Sequence, residues 1–193
     1  MKKRTVYQLI VDRSGSMAGM EHQVISGYNE QLQAAQGVQS RYPDQEIVMG
    51  LRFFDHNVDN NVADYRLVND LLPLSLHDYQ VKGSTALLDA IGKSIYDIKT
   101  RFGHQITNED TSVVMIIITD GHENASRMYT YEDIRRMVSE LEATEKWSFT
   151  FMGADLDAIG ASRSMGINPD NTLSFDKGDY SRVTKQYFEE AAE

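Results

Sequence analysis

The sequence predicts an α/β fold: a doubly wound, mainly parallel central sheet with one antiparallel edge strand and helices on both faces. Three observations lead there. Short β-branched runs alternate with amphipathic stretches at helical spacing, the pattern that produces crossover connections and parallel pairing. One run, Val113 to Ile118, is continuously apolar between polar turns and suits a strand covered on both faces. Asp12, Asp55, Asp120 and Asp155 each fall just after a predicted strand, so the sheet's carboxyl edge collects negative charge.

The first strand is Thr5 to Val11, rich in β-branched and aromatic residues and broken by Gly15. A helix follows from Glu21 to about Gly37, with Val24, Ile25, Tyr28, Leu32 and Ala35 on one face. Ile47 to Phe54 is a second strand. The Asn/Asp-rich segment Asp55 to Asn61 reverses the chain, and Val62 to Val68 returns as an antiparallel edge. Asn69 to Lys82 has no clear period, and Pro73 limits any helix there.

Gly83-Ser84-Thr85 opens the clearest helix, whose Leu87, Leu88, Ile91, Ile95, Ile98 and Phe102 step by three and four, with Gly103 read as its stop. After the strand Val113 to Ile118, Thr130 to Asp133 forms a capping arrangement for a helix carrying Ile134, Met137, Val138 and Leu141. Trp147 to Met152 is a further strand. A short helix from about Asp157 to Met165 stops at Gly166, Thr172 to Phe175 is a last strand, and Tyr180 to Ala192 a terminal helix. No internal linker or repeat is visible, so residues 1–193 read as one domain.

Composition excludes several classes. The formal net charge of -10 argues against nucleic acid or an anionic membrane as the main partner. With no cysteine there are no disulfides, thiolate zinc sites or cysteine nucleophiles. The charged start Met1-Lys2-Lys3-Arg4 lacks a following cleavage site, and no stretch reaches the roughly 18 apolar residues of a membrane span. The expectation is a soluble, cytoplasmic protein.

The chemistry lies in three loops. In extended backbone Asp12, Ser14 and Ser16 alternate so that three oxygens aim at one point past the first strand. Gly-Ser-Thr before a helix (83–85) and Thr-Asp-Gly after the apolar strand (119–121) follow in order. Each piece alone is ordinary: Thr85 suits a helix N-cap and Asp120 a turn. Together, each behind a hydrophobic run, they resemble the von Willebrand factor A (vWA) domain family and its metal-ion-dependent adhesion site. The resemblance spans the chain in element order and implies Asp12, Ser14, Ser16, Thr85 and Asp120 as metal ligands. Where many relatives have two glycines, this chain has Gly83-Ser84, which leaves Thr85 in place. The length is similar to that of stand-alone bacterial vWA proteins, some of which accompany tellurite-resistance or stress-response clusters.

Two carboxylates and three hydroxyls, with no His or Cys among them, favour Mg²⁺ or Mn²⁺ over zinc or copper. The resemblance further implies an open coordination position that captures an Asp or Glu of a partner protein, and a terminal helix from Asp179 to Ala192 able to shift. Met17, Asp55, Ser84, His122, Glu123, Asn124, Asp155 and Asp157 are candidates for the partner-binding rim. The alternative is a Mg²⁺-dependent phosphatase or phosphotransferase of doubly wound type. Such an enzyme needs a second acid two residues after the nucleophile, where this chain has Ser14. Gly92-Lys93-Ser94 lacks the upstream glycine of a phosphate loop, and no Gly-x-Ser-x-Gly accompanies the five histidines, of which His56 and His122 are nearest the loops. The sequon Asn124-Ala125-Ser126 has no secretion signal to put it to use.

Overall fold

The structure is a computed structural model describing residues 3–60, 62–154 and 157–175. Six strands form one sheet: β1 (Lys3–Asp12), β2 (Gln45–Phe54), β3 (Ala63–Leu67), β4 (Thr111–Thr119), β5 (Trp147–Ala154) and β6 (Thr172–Phe175), in the order β3-β2-β1-β4-β5-β6. All neighbours run parallel except β2 and β3, whose pairing slips between Met49 and Leu51. The expected antiparallel edge is therefore present. Chain order reverses between β1 and β4, and the ends of these two strands carry Asp12 and Asp120.

Strand alternation divides the core. Val6 and Ile10 of β1, with Val113, Met115 and Ile117 of β4, face α2 (Leu87–Asn108), α3 (Tyr131–Glu142) and α4 (Ala158–Ser164). Leu9, Val11, Ile116 and Ile118 face α1 (Glu21–Arg41) and the segment 68–81. A strand apolar on both sides belongs at the centre of such a sandwich. Among the described residues no helix is long and apolar enough to cross a membrane. The terminal helix expected over Tyr180 to Ala192 lies outside the described residues.

Two expected helix stops give way. α1 continues through Gly37 to Arg41 and α2 through Gly103 to Asn108. Packing overrides the glycine: Phe102 and Ile106 are buried on the core, while Gln36 donates to Val68 O (2.9 Å) and Gln39 accepts from Ile47 N (2.7 Å). Gly166 does stop its helix, and it alone of the three has a left-handed φ, +80°. The capping box at Thr130 forms as expected, with Thr130 and Asp133 exchanging side-chain and backbone bonds. A Cβ at Gly37 or Gly103 would meet nothing within 4 Å. Gly37→Ala and Gly103→Ala should therefore each stabilise the protein by about 0.5–1 kcal/mol in urea unfolding; a loss of stability would mean the helices do end at these glycines.

Candidate metal centre

Three loops meet over the reversal in strand order. The first leaves β1 at Asp12, which is fully buried. Its Oδ1 accepts from Ser14 N (2.6 Å), and its Oδ2 from the Thr119 hydroxyl at the end of β4 (2.6 Å). Tyr79, also buried, donates to the Asp12 carbonyl (2.6 Å). Beyond Ser14 the chain does not stay extended. Gly15–Met17 is a 3₁₀ turn, so the oxygens of Ser14 and Ser16 approach to 3.0 Å by turning rather than by strand alternation. Met17, fully buried, anchors that turn in the core and presents nothing at the rim.

The loops are tied pairwise. Gly15 N donates to Gly83 O (3.0 Å), joining the first to the second. Thr85 N donates to Asn124 Oδ1 (2.9 Å) and Asn124 N to Thr85 O (3.0 Å), joining the second to the third. Ser16 donates to Asp120 Oδ1 (2.6 Å), closing the triangle. Thr85 is buried and does not cap α2, whose N-cap is Ala86. Gly83 suits its place twice over: its φ is +70°, and a Cβ there would lie 2.0 Å from His56 Nδ1.

Gly121 shows how tightly the oxygens gather. A Cβ built on it would lie 2.9 Å from Thr85 Oγ1, 3.3 Å from Ser16 Oγ and 3.5 Å from Asp12 Oδ2. One point thus faces oxygens from the first and second loops, and Asp120, bonded to Ser16, is its chain neighbour. Among the described residues no three His, Cys, Asp or Glu side chains form a metal cage, so a cation here depends on hydroxyls as well as carboxylates. Such an all-oxygen set fits a hard divalent ion.

The rim candidates separate into distinct groups. Ser84, His122 and Asn124 are exposed beside the converging oxygens. Glu123 points inward: its carboxylate accepts from Leu88 N (3.0 Å), Ala125 N, Ser126 N and the Ser126 hydroxyl, holding the start of α2 against the third loop. Asp55, fully buried, is paired with Arg13 Nε (2.9 Å) and accepts from Asn57 N, so its carboxylate is not offered to a partner. Asp157 is the exposed N-cap of α4, accepting from Gly160 N (2.9 Å). Asp155 lies outside the described residues.

Sequence reading missed Thr119 and Tyr79, which position Asp12, and Asp89. The buried Asp89 carboxylate accepts from Arg127 N, Met128 N and Tyr129 N, fixing the third loop. Only Thr119, in the Thr-Asp-Gly motif, carried a visible signal.

No protein-family model and no curated protein matches this sequence. Solved structures do match. Proximal thread matrix protein 1 from the mussel byssus superposes with a TM-score of 0.68 at 14% identity, over 98% of this chain and 46% of its own. The von Willebrand factor type A protein from Catenulispora acidiphila gives 0.64 at 11%, over 96% of this chain and 42% of its own. The VWA domain of SpRpn10 gives 0.64 at 14%, over 96% of this chain and 95% of that domain. This chain thus spans less than half the length of the first two and nearly all of the third. The likeness establishes the vWA fold. A further structure of the mussel protein, at TM-score 0.61 and 13% identity, has a zinc-occupied MIDAS (metal-ion-dependent adhesion site) motif.

Burial pushes the Asp12 carboxyl from 3.8 up to about 6, Asp120 adds a smaller push, and the bonds from Thr119 and Ser14 pull back. The folded state therefore holds this proton more tightly than the unfolded chain does. For this group stability is greatest below about pH 4 and falls as pH rises through about 6, by about 3 kcal/mol in metal-free protein. In EDTA, Asp12→Asn should match wild type near pH 4 and exceed it increasingly toward pH 7 in thermal unfolding; a difference that does not change with pH would contradict the buried carboxylate.

Proposed function

We propose that this chain is a metal-dependent protein-binding module. Asp12, Ser14, Ser16, Thr85 and Asp120 would hold Mg²⁺ (or Mn²⁺), and the bound ion would capture the Asp or Glu side chain of a partner protein. The observation that carries this reading is the cradle at Gly121, where a side chain as small as one methyl group would crowd oxygens from two separate loops. Glycine at this position keeps the converging oxygens of Asp12, Ser16 and Thr85 clear of a side chain. The ion would supply positive charge to a carboxylate, and its neutral hydroxyl ligands would leave that charge only partly offset.

The chain's residues do the rest. Thr119 and Tyr79 orient Asp12. Asn124 and Gly15 hold the second loop in reach of the other two. The zinc-occupied motif of the mussel protein supports a divalent ion at this place in the fold, and the hard oxygen set supports Mg²⁺ or Mn²⁺ as the ion for this chain. We further propose a cytoplasmic setting and one domain over residues 1–193, similar to the stand-alone bacterial members of the family, including those beside stress-response and tellurite-resistance genes.

Calorimetric titration with Mn²⁺ tests the ligand set. Asp120→Ala and Gly121→Ala should each weaken binding by roughly tenfold or more while the metal-free proteins still fold cooperatively; unchanged Mn²⁺ affinity in both refutes the assignment. A partner recovered in Mg²⁺ should be lost in EDTA and with Asp12→Ala. Phosphatase activity lost with Asp12→Ala would favour the enzyme reading instead.

A further inference from the structure

A cleft of about 740 Å³ opens beside the converging loops, with Ser84 and Asn124, the neighbours of Thr85, on its near wall. Its other walls are the turn after β2, the second turn of α2 and the third loop, which contribute Val58, Lys93, Arg127 and Met128. The chain carries a net charge of -10, yet this cleft is lined by two cationic side chains, Lys93 and Arg127, and one acid, the buried Asp89.

The acids nearby have their oxygens engaged by the protein itself and directed away from an incoming group. Asp89 is spent on three backbone N–H groups, and Glu123, behind the wall, on three more and a hydroxyl. Asp55 and Asp59 on the turn after β2 are both paired with Arg13, at 2.9 and 2.7 Å. His56 is turned toward Asp55 at 3.0 Å. The cations are differently placed. Among the described residues Lys93 Nζ meets only neutral oxygens, Asn60 Oδ1 at 3.2 Å and Val58 O at 3.5 Å. Among the described residues the Arg127 guanidinium has neither hydrogen bond nor ion pair. Met128, 65% exposed, and the half-buried Val58 add apolar surface for the stem of an incoming side chain.

We propose that this cleft is a second recognition site, taking a further carboxylate of the same partner, so that the ligand is a doubly acidic segment: one acid on the metal, the next on Lys93 and Arg127. The inference rests on the metal-dependent capture proposed above. Its physical basis is that an anion entering the cleft meets two cations with no ion-pair partner among the described residues against one acid, the buried Asp89, and that Lys93 is half-buried while Arg127 is exposed. It also explains how an acidic protein attracts an acidic partner without relying on the ion alone.

Short, terminally blocked Gly/Ser peptides carrying one aspartate, or two at varied spacing, serve as probes in calorimetric titration with Mg²⁺ present. Wild type should prefer the best two-aspartate peptide over the one-aspartate peptide by roughly tenfold. The double variant Lys93→Glu/Arg127→Glu, and the milder Lys93→Gln/Arg127→Gln, should lose that preference while keeping Mn²⁺ affinity. Equal binding of both peptides, no binding of either at about 1 mM, or a preference that survives both double variants overturns the second site. If EDTA leaves peptide binding unchanged while the double variants abolish the preference, the cleft stands and the metal-capture reading falls.

Discussion

A carboxylate with no exposed surface sits at the point where strand order reverses, and the surrounding loops are arranged to hold it there. Asp12 is fixed by a hydroxyl from the neighbouring strand, by the backbone of its own turn and, through its carbonyl, by a buried tyrosine from the far face. Removing a carboxylate from water is costly, and its proton affinity rises accordingly. Such a group is a standing demand for a proton or a cation. The parallel pairing of β1 with β4 places Thr119 and Asp120 at the same edge, so the demand and the means of meeting it arise from one feature of topology.

The glycines of this chain illustrate how one residue type serves opposite purposes. Gly121 leaves space among oxygens, and Gly83 turns the backbone with a left-handed φ beneath His56. Gly37 and Gly103 do neither; they sit within helices that tertiary packing carries past them. The difference is not in the residue but in whether the core has something to bury beyond it, as Ile106 shows for α2.

The acids follow a comparable division. Asp55, Asp89 and Glu123 stand near the site in sequence or space, yet their oxygens are turned inward to hold loops together. Ser84, His122, Asn124 and, further along the same rim, Lys93 and Arg127 face outward, as does the acid Asp157 at the start of α4. In a strongly acidic chain, three carboxylates close to the candidate metal centre are thus turned onto the protein's own groups.

Residue order by itself determined the order of the described elements, the antiparallel edge and the doubly covered strand β4, since these follow from short-range periodicity and from where polar turns interrupt it; Asp12, Ser14, Ser16, Thr85 and Asp120 were singled out as a set by the resemblance to the vWA family. It could not rank the rim. Whether Asp55 or Glu123 faces solvent, whether Met17 lines a surface or plugs the core, and that Tyr79 and Asp89 support the loops all depend on contacts between residues far apart along the chain. The same holds for the turn at Gly15–Met17, which replaced the expected extended backbone, and for the helix ends. Local preference amounts to about 1 kcal/mol per residue, and where long-range burial or a buried hydrogen bond exceeds that, only the assembled fold decides.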